Sequence, residues 1–275
     1  MTKIARFAVT LVALLMAAPA SAALTAVQGT GVQQGNPPSA CSVSASVGVG
    51  QAVIIFFESN GALTGITVTS NVTSSNLSQL AAYPVSGTGT YQAIYWGITT
   101  SSGTPSITVT GTAGYTYDSC MAVTGFSGTP TADTAIVNTS TGTGTTATIN
   151  ATSNHNNEAM LVSQYTGDYA TAPTVTGWTE AAPAVQPGYY AIEASSGTAN
   201  NWVGTFGTST TWYLLLAGVY DPGVAGCTHD GVTSAGAIAI PNGTSGSYRL
   251  TSGALGTPNC STVSYKQTQG AVGVN

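Results

Sequence analysis

Apolar and polar positions along this chain alternate with the period of a β-strand, and no stretch past the first two dozen residues follows the period of a helix. Two stretches are apolar on both faces: Gln51-Ala52-Val53-Ile54-Ile55-Phe56-Phe57 and Trp212-Tyr213-Leu214-Leu215-Leu216-Ala217-Gly218-Val219-Tyr220. Strands covered from both sides read this way. Other stretches alternate strictly. Ile66 and Val68 point one way, Thr67 and Thr69 the other; Ile107 and Val109 repeat the pattern against Thr108 and Thr110. These suit sheets with one dry and one wet face, the wet face built of β-branched threonine. The same reading predicts strands over 90–98, 115–126, 145–151, 158–165, 174–180, 189–194 and 201–206. Turn clusters such as Ser101-Ser102-Gly103-Thr104 and Ser195-Ser196-Gly197-Thr198 separate them. Their uneven spacing speaks against a repeat array. The expectation is an all-β protein, an antiparallel β-sandwich of jelly-roll or immunoglobulin-like type.

The ends read differently. Lys3 and Arg6 precede an apolar run over 7–16, and Pro19-Ala20-Ser21-Ala22 offers a small-residue cleavage site, so residues 1–22 are expected to be a signal peptide. That run is too short to span a bilayer comfortably, which leaves an uncleaved anchor as the alternative, and no later run approaches the roughly 18 residues that a span needs. No membrane insertion is expected after cleavage, and the protein is expected outside the cell or on its surface. Residues 23–48 are Gly- and Gln-rich and read as an extended arm. The sandwich is expected over 49–221. Asp221-Pro222-Gly223 marks a boundary, and 222–275 reads as a small C-terminal β appendage. In it, Ala237-Ile238-Ala239-Ile240 and Ser247-Tyr248-Arg249-Leu250 would form a hairpin across Pro241-Asn242-Gly243. Four cysteines in an exported chain favour two disulfides. Three connectivities exist; the favoured one joins Cys41 to Cys120 and Cys227 to Cys260, the second stapling the appendage. No CxxC spacing supports zinc instead.

Charge narrows the function classes. The formal net charge is −5, and past residue 22 the only cations among Lys and Arg are Arg249 and Lys266, against nine acids. Residues 24–132 hold only Glu58 and Asp118. No basic footprint for nucleic acid or anionic lipid exists.

The order of the strands brings a resemblance into view. It is carried by Gly50-Gln51-Ala52-Val53-Ile54-Ile55, Gly103-Thr104-Pro105-Ser106-Ile107-Thr108-Val109-Thr110, Ala122-Val123-Thr124-Gly125-Phe126-Ser127-Gly128, Asn157-Glu158-Ala159-Met160-Leu161-Val162 and the closing stretch 212–220. The pattern, over about 48–221, resembles a broad group of poorly characterised extracellular β-sandwich modules of bacterial surface and phage-derived proteins. Such modules usually carry an acid in the third segment, where this chain has Thr124 or Gly125. The resemblance implies a surface, adhesive or glycan-associated role and supplies no site residues.

Candidate chemistry is sparse. A glycosidase needs two acids a few ångströms apart. Glu58, Glu158, Glu180 and Glu193 are the candidates, and solvation at strand ends accounts for Glu58 and Glu158. A Ser-His-Asp triad needs a positioned base; His155 and His229 read as polar loop residues, and no GxSxG elbow occurs. Gly142-Thr143-Gly144-Thr145-Thr146-Ala147 fits GxGxxA, but no helix follows it. No cofactor is expected. A structural calcium would have to be assembled by the fold from Asp118, Asp133, Asp168, Asp221 and Asp230. Asn-X-Ser/Thr sequons occur at Asn71, Asn76, Asn138, Asn150, Asn242 and Asn259, as composition alone would produce.

Two binding readings remain. With thirteen tyrosines and four tryptophans, a glycan platform is one, since sugar rings stack on aromatic faces. Its candidates are Trp178, Tyr189, Tyr190 and Trp202, with Tyr165 and Tyr169 around Thr166-Gly167-Asp168. Trp96, Trp212 and Tyr213 read as core. The other is assembly. Most β proteins blunt their edge strands with lysine, proline or inward charge, and here Lys266 is the one lysine after the signal. Edges are therefore covered or used, by strand addition to a second copy or another surface protein. Scarce Lys and Arg also leave trypsin-like proteases little to cut. The leading expectation is a non-enzymatic structural or adhesive surface subunit; a carbohydrate-binding module is second and a hydrolase last.

Overall fold

A strand that is apolar on both faces must lie between two layers, and the fold is organised around this requirement. The computed structural model describes residues 23–35, 37–60, 64–85, 90–112, 114, 116–166, 173–182 and 188–223, and beyond them the backbone of five short strands. No helix occurs among the described residues.

The first eight strands are β1 (Thr25–Gly35), β2 (Ser39–Ser42), β3 (Ala52–Asn60), β4 (Thr64–Ser70), β5 (Ser78–Val85), β6 (Thr90–Ile98), β7 (Ser106–Thr112) and β8 (Thr116–Thr124). They make two sheets. A central sheet runs β1-β8-β3-β6-β5, and a short sheet runs β2-β7-β4, all antiparallel. The order 1-8-3-6 facing 2-7-4 is that of a jelly roll, except that β5 pairs with β6 on the central sheet. Residues expected as an extended arm are thus strands of this roll: β1 lies along β8 and β2 along β7. Leu24, Val43 and Val47 anchor them by burial.

The next strands are β9 (Thr131–Ile149), β10 (Glu158–Thr166), β11 (Thr174–Val175), β12 (Thr179–Glu180), β13 (Gly188–Glu193) and β14 (Trp202–Tyr220). They form one sheet, β11-β14-β10-β13-β12, with β9 along β14. The segments expected as separate strands over 201–206 and 212–220 are one strand of 19 residues. Its partner β9, also 19 residues, was legible only over its last few. The expected strand over 174–180 is two short ones with a bend between them.

Three apolar layers follow. Val53, Ile55 and Phe57 meet Val68, Ile107 and Val109 of the short sheet. Ala52, Ile54 and Phe56, on the other face of β3, meet Ala159, Leu161, Leu215 and Val219. The outer face of the second-half sheet carries Met160, Val162, Leu214 and Leu216, and these are packed with Ala147, Ile149, Trp202 and Phe206. That packing means the far half of the β9–β14 ribbon curls back over its own sheet. The ribbon's register shifts between Thr205 and Thr210, and extra residues on one strand of a pair bend it. The architecture is an antiparallel sandwich, as expected, with a third layer added by this curl.

The disulfide Cys41–Cys120 joins β2 to β8 and so ties the short sheet to the central one. Cys227 and Cys260 lie outside the described residues, as do residues 1–22. In the C-terminal region, β15 (Gly231–Thr233), β16 (Ser245–Leu250) and β18 (Thr262–Gln267) pair in parallel, as do β17 (Leu255–Gly256) and β19 (Val272–Gly273). The expected hairpin has its first arm, 237–240, outside the described residues; its second arm is in β16, whose described partners run parallel.

Candidate functional site

The aromatic platform is not on a surface. Trp202 is 0% exposed and Tyr189 1%, and Trp178 is buried as well. Tyr189 and Trp202 meet edge to face with centroids 5.3 Å apart. Tyr190, on the opposite face of β13, is half-buried against the core between the two large sheets. The glycan platform is therefore corrected: the curled ribbon must cover Met160 and Val162, and large rings fill that space. Tyr165 is buried, and Tyr169 lies outside the described residues. The exposed large apolar side chains among the described residues are Val49, Val137 and Val203, none of them aromatic.

The acids are not where solvation would put them. Glu58 and Glu158 are both fully buried. Glu58 closes the polar end of the core between the large sheets. Its Oε1 accepts hydrogen bonds from Ser163 Oγ at 3.1 Å and Gln92 Nε2 at 3.4 Å. Burial holds its pKa well above the usual carboxylate range, and its hydrogen bonds to Gln92 and Ser163 oppose this. Asp118 lies on the other face of the central sheet and accepts a hydrogen bond from Ser39 Oγ. Burial pushes it up to about 7. Residues 23–223 contain no Lys or Arg, so no cation from that stretch offsets these charges. Burial therefore disfavours the ionised form of each.

Glu158 anchors a corner where β9, β10 and β14 meet. Its Oε2 accepts backbone N–H bonds from Asn154 at 2.8 Å and His155 at 3.0 Å. Burial pushes its pKa to about 7, against the pull of the His155 N–H and with the help of nearby Asp133. His155 Nε2 lies 3.6 Å from Asp133 Oδ2, and its ring stacks on Tyr220 at 3.6 Å between centroids. His155 is thus packed on Tyr220 beside the buried Asp133, with its side chain 38% exposed. Gly218 is required here, since a Cβ would meet Glu158 Oε1 and Ile136. Glu193 instead accepts from Asn200 Nδ2 at 2.9 Å, and the Glu180 backbone carbonyl accepts from Gln28.

Asp221 is a loop clip. It accepts from Ser127 N at 2.9 Å, Ser127 Oγ at 2.7 Å, and Gly128 N and Gly223 N at 3.0 Å each. Partial burial raises its pKa, but these donors outweigh it and the net shift is downward. Asp168, Asp230 and His229 lie outside the described residues. Among the described residues, no group of three or more His, Cys, Asp or Glu side chains is placed to hold a metal ion.

What the surface does offer is β9. Among the described residues it pairs with β14 alone, so no described strand pairs with its other edge. Asp133 is its one charge, and Asp133 is buried. From Thr134 to Ile149 there is no charge and no proline. Thr134, Val137, Thr139, Thr141, Thr143, Thr145 and Thr148 are exposed. The Thr/Gly run over 139–144 has no apolar alternation, and its strand character comes from lying along β14. No protein-family model matches the chain, and no curated protein matches it.

Proposed function

We propose that this protein is an exported structural or adhesive subunit that joins to a second copy of itself through the open edge of β9. The carrying observation is the 19-residue length of that edge strand without an exposed charge. An unprotected strand edge presents unpaired backbone N–H and C=O groups and recruits another strand. A second copy suits it because two β9 strands related by a two-fold axis pair antiparallel with no like charges opposed. The neutral Ser/Thr/Gly surface fits a protein selected for joining, and the Cys41–Cys120 disulfide fits an oxidising compartment.

Sedimentation velocity on the mature chain over a wide concentration range tests this, with electron microscopy for fibres. The wild type should associate. A Thr139→Lys/Thr141→Lys/Thr145→Lys variant, altering exposed side chains only, should stay monomeric at unchanged melting temperature. A wild type monomeric at every concentration, or a variant that associates equally, overturns the proposal; association only with a different surface protein also counts against the self-pairing.

A further inference from the structure

The polar end of the core between the two large sheets holds a hydroxyl, a carboxamide and a carboxyl group in mutual contact. Glu58 and Gln92 are opposite each other on β3 and β6 of the central sheet. Ser163 comes from β10 of the other sheet. All three are buried, with no more than 1% exposure. Gln92 Nε2 lies 3.4 Å from each of three acceptors: Glu58 Oε1, Ser163 Oγ and the Tyr213 carbonyl. A primary amide nitrogen has two hydrogens, so it cannot serve all three. Each of those contacts is long for a hydrogen bond. Gln92 Oε1 and Glu58 Oε2 have no partner. A buried amide held this poorly is costly.

We propose that Ser163 and Gln92 join in an ester cross-link between the two sheets, formed by the protein itself with Glu58 moving the proton. With Glu58 in its ionised form, the Ser163 Oγ–H proton passes to Glu58 Oε1, and Oγ bonds to Gln92 Cδ. The Cδ–Nε2 bond breaks, and Glu58 delivers the proton to Nε2, which leaves as ammonia. One C–O bond forms and one C–N bond breaks, nothing is oxidised or reduced, and the carboxylate is regenerated. One oxygen, Glu58 Oε1, is within hydrogen-bond reach of both the group that loses the proton and the group that gains it. This is the geometry a general base and acid in one residue requires. Burial favours the step twice. It raises the basicity of Glu58, and it keeps water from the ester. Fixed neighbours on two rigid sheets supply proximity. The ester removes the overcrowded N–H donors and the hydroxyl from the interior, and escape of ammonia to solvent prevents reversal.

The cross-link stands independently of β9 association. Intact mass spectrometry of the mature, reduced and denatured protein tests it. The mass should fall below the sequence mass by one ammonia, and peptic mapping should return the segments around Gln92 and Ser163 joined, split again by hydroxylamine. Ser163→Ala, Gln92→Leu and Glu58→Gln should each abolish the deficit. A natively folded wild type at its full sequence mass overturns the proposal. So does a deficit that persists in Ser163→Ala, which would be an asparagine succinimide elsewhere, or a deficit of one water, which would make Glu58 the acyl donor. The wild-type mass decides the question even if a variant fails to fold.

Discussion

The two consecutive halves of the chain solve the same problem differently. Strands β1–β8 bury both faces of their central sheet and tie its partner sheet down with Cys41–Cys120. Strands β9–β14 have one sheet and no disulfide among the described residues; they cover its outer face by curling a ribbon back over it. The first half brings β1 against the other half, with Gly29 N donating to the Ala181 carbonyl at 3.0 Å. The second leaves one edge of β9 without a described partner strand. That edge runs for 19 residues, against 7 for β4 and 8 for β5 at the sheet edges of the first half, because the strand that covers the outer face is long and pairs with β14 alone among the described strands.

The largest way to break this contrast is to remove the staple. Cys41→Ala/Cys120→Ala should cost about 4.5 kcal/mol by the loop-entropy account for a separation of 79 residues. Urea unfolding with and without reductant measures it, and hydrogen exchange should show the short sheet opening first. An unchanged midpoint would mean that the short sheet is held by packing alone. Next comes the curl. Trp202→Ala should cost about 3 kcal/mol or more, as for other buried Trp truncations, and hydrogen exchange should show β9 and β14 losing protection before β3 and β8. Simultaneous loss everywhere would make the two halves one cooperative unit.

The pH dependence is third and touches both halves. Asp118 and Glu158 are each pushed up to about 7, and Glu58 is raised too. An acid whose native pKa lies above its unfolded value keeps a proton that the unfolded chain gives up. Stability is therefore full below about pH 4 for these groups and falls as pH rises toward 7. Asp221 has the opposite sign: its lowered pKa adds stability above about pH 4 that is lost on further acidification. Melting temperature should peak near pH 4–5 and fall by several degrees by pH 8. Glu158→Gln should flatten that fall, and a Glu158→Gln profile identical to wild type would remove Glu158 from the explanation. The smallest effect on stability should be that of the β9 lysine substitutions, within about 0.5 kcal/mol, although they should have the largest effect on association.

Strong apolar stretches were legible as strands. β3, β6, β10 and the second half of β14 were read within a few residues, because a face buried against a sheet must be apolar. β1, β5 and most of β9 were not, since their strand character comes from partners more than from composition. The same limit explains the site. Sequence could not say that rings at Trp178, Tyr189 and Trp202 turn inward, because that follows from the bend between Thr205 and Thr210. A signal for Glu158 did exist: it opens a strand with both faces apolar, so solvation was the less economical reading. Gln92 and Ser163 carry no motif, being 71 residues apart and brought together only by sheet stacking.

Composition and period alone determined that this is an antiparallel β protein with an uncharged surface, and that Cys41 and Cys120 were the favoured pair to bond. These follow from local preferences and from which side chains can be buried. Tertiary structure decided that the arm is part of the roll, that Trp178, Tyr189 and Trp202 are core, that Glu58, Asp118 and Glu158 are buried, and that β9 is a long edge strand. Each of those depends on which strand lies beside or above another. Such long-range packing is not encoded at any one position.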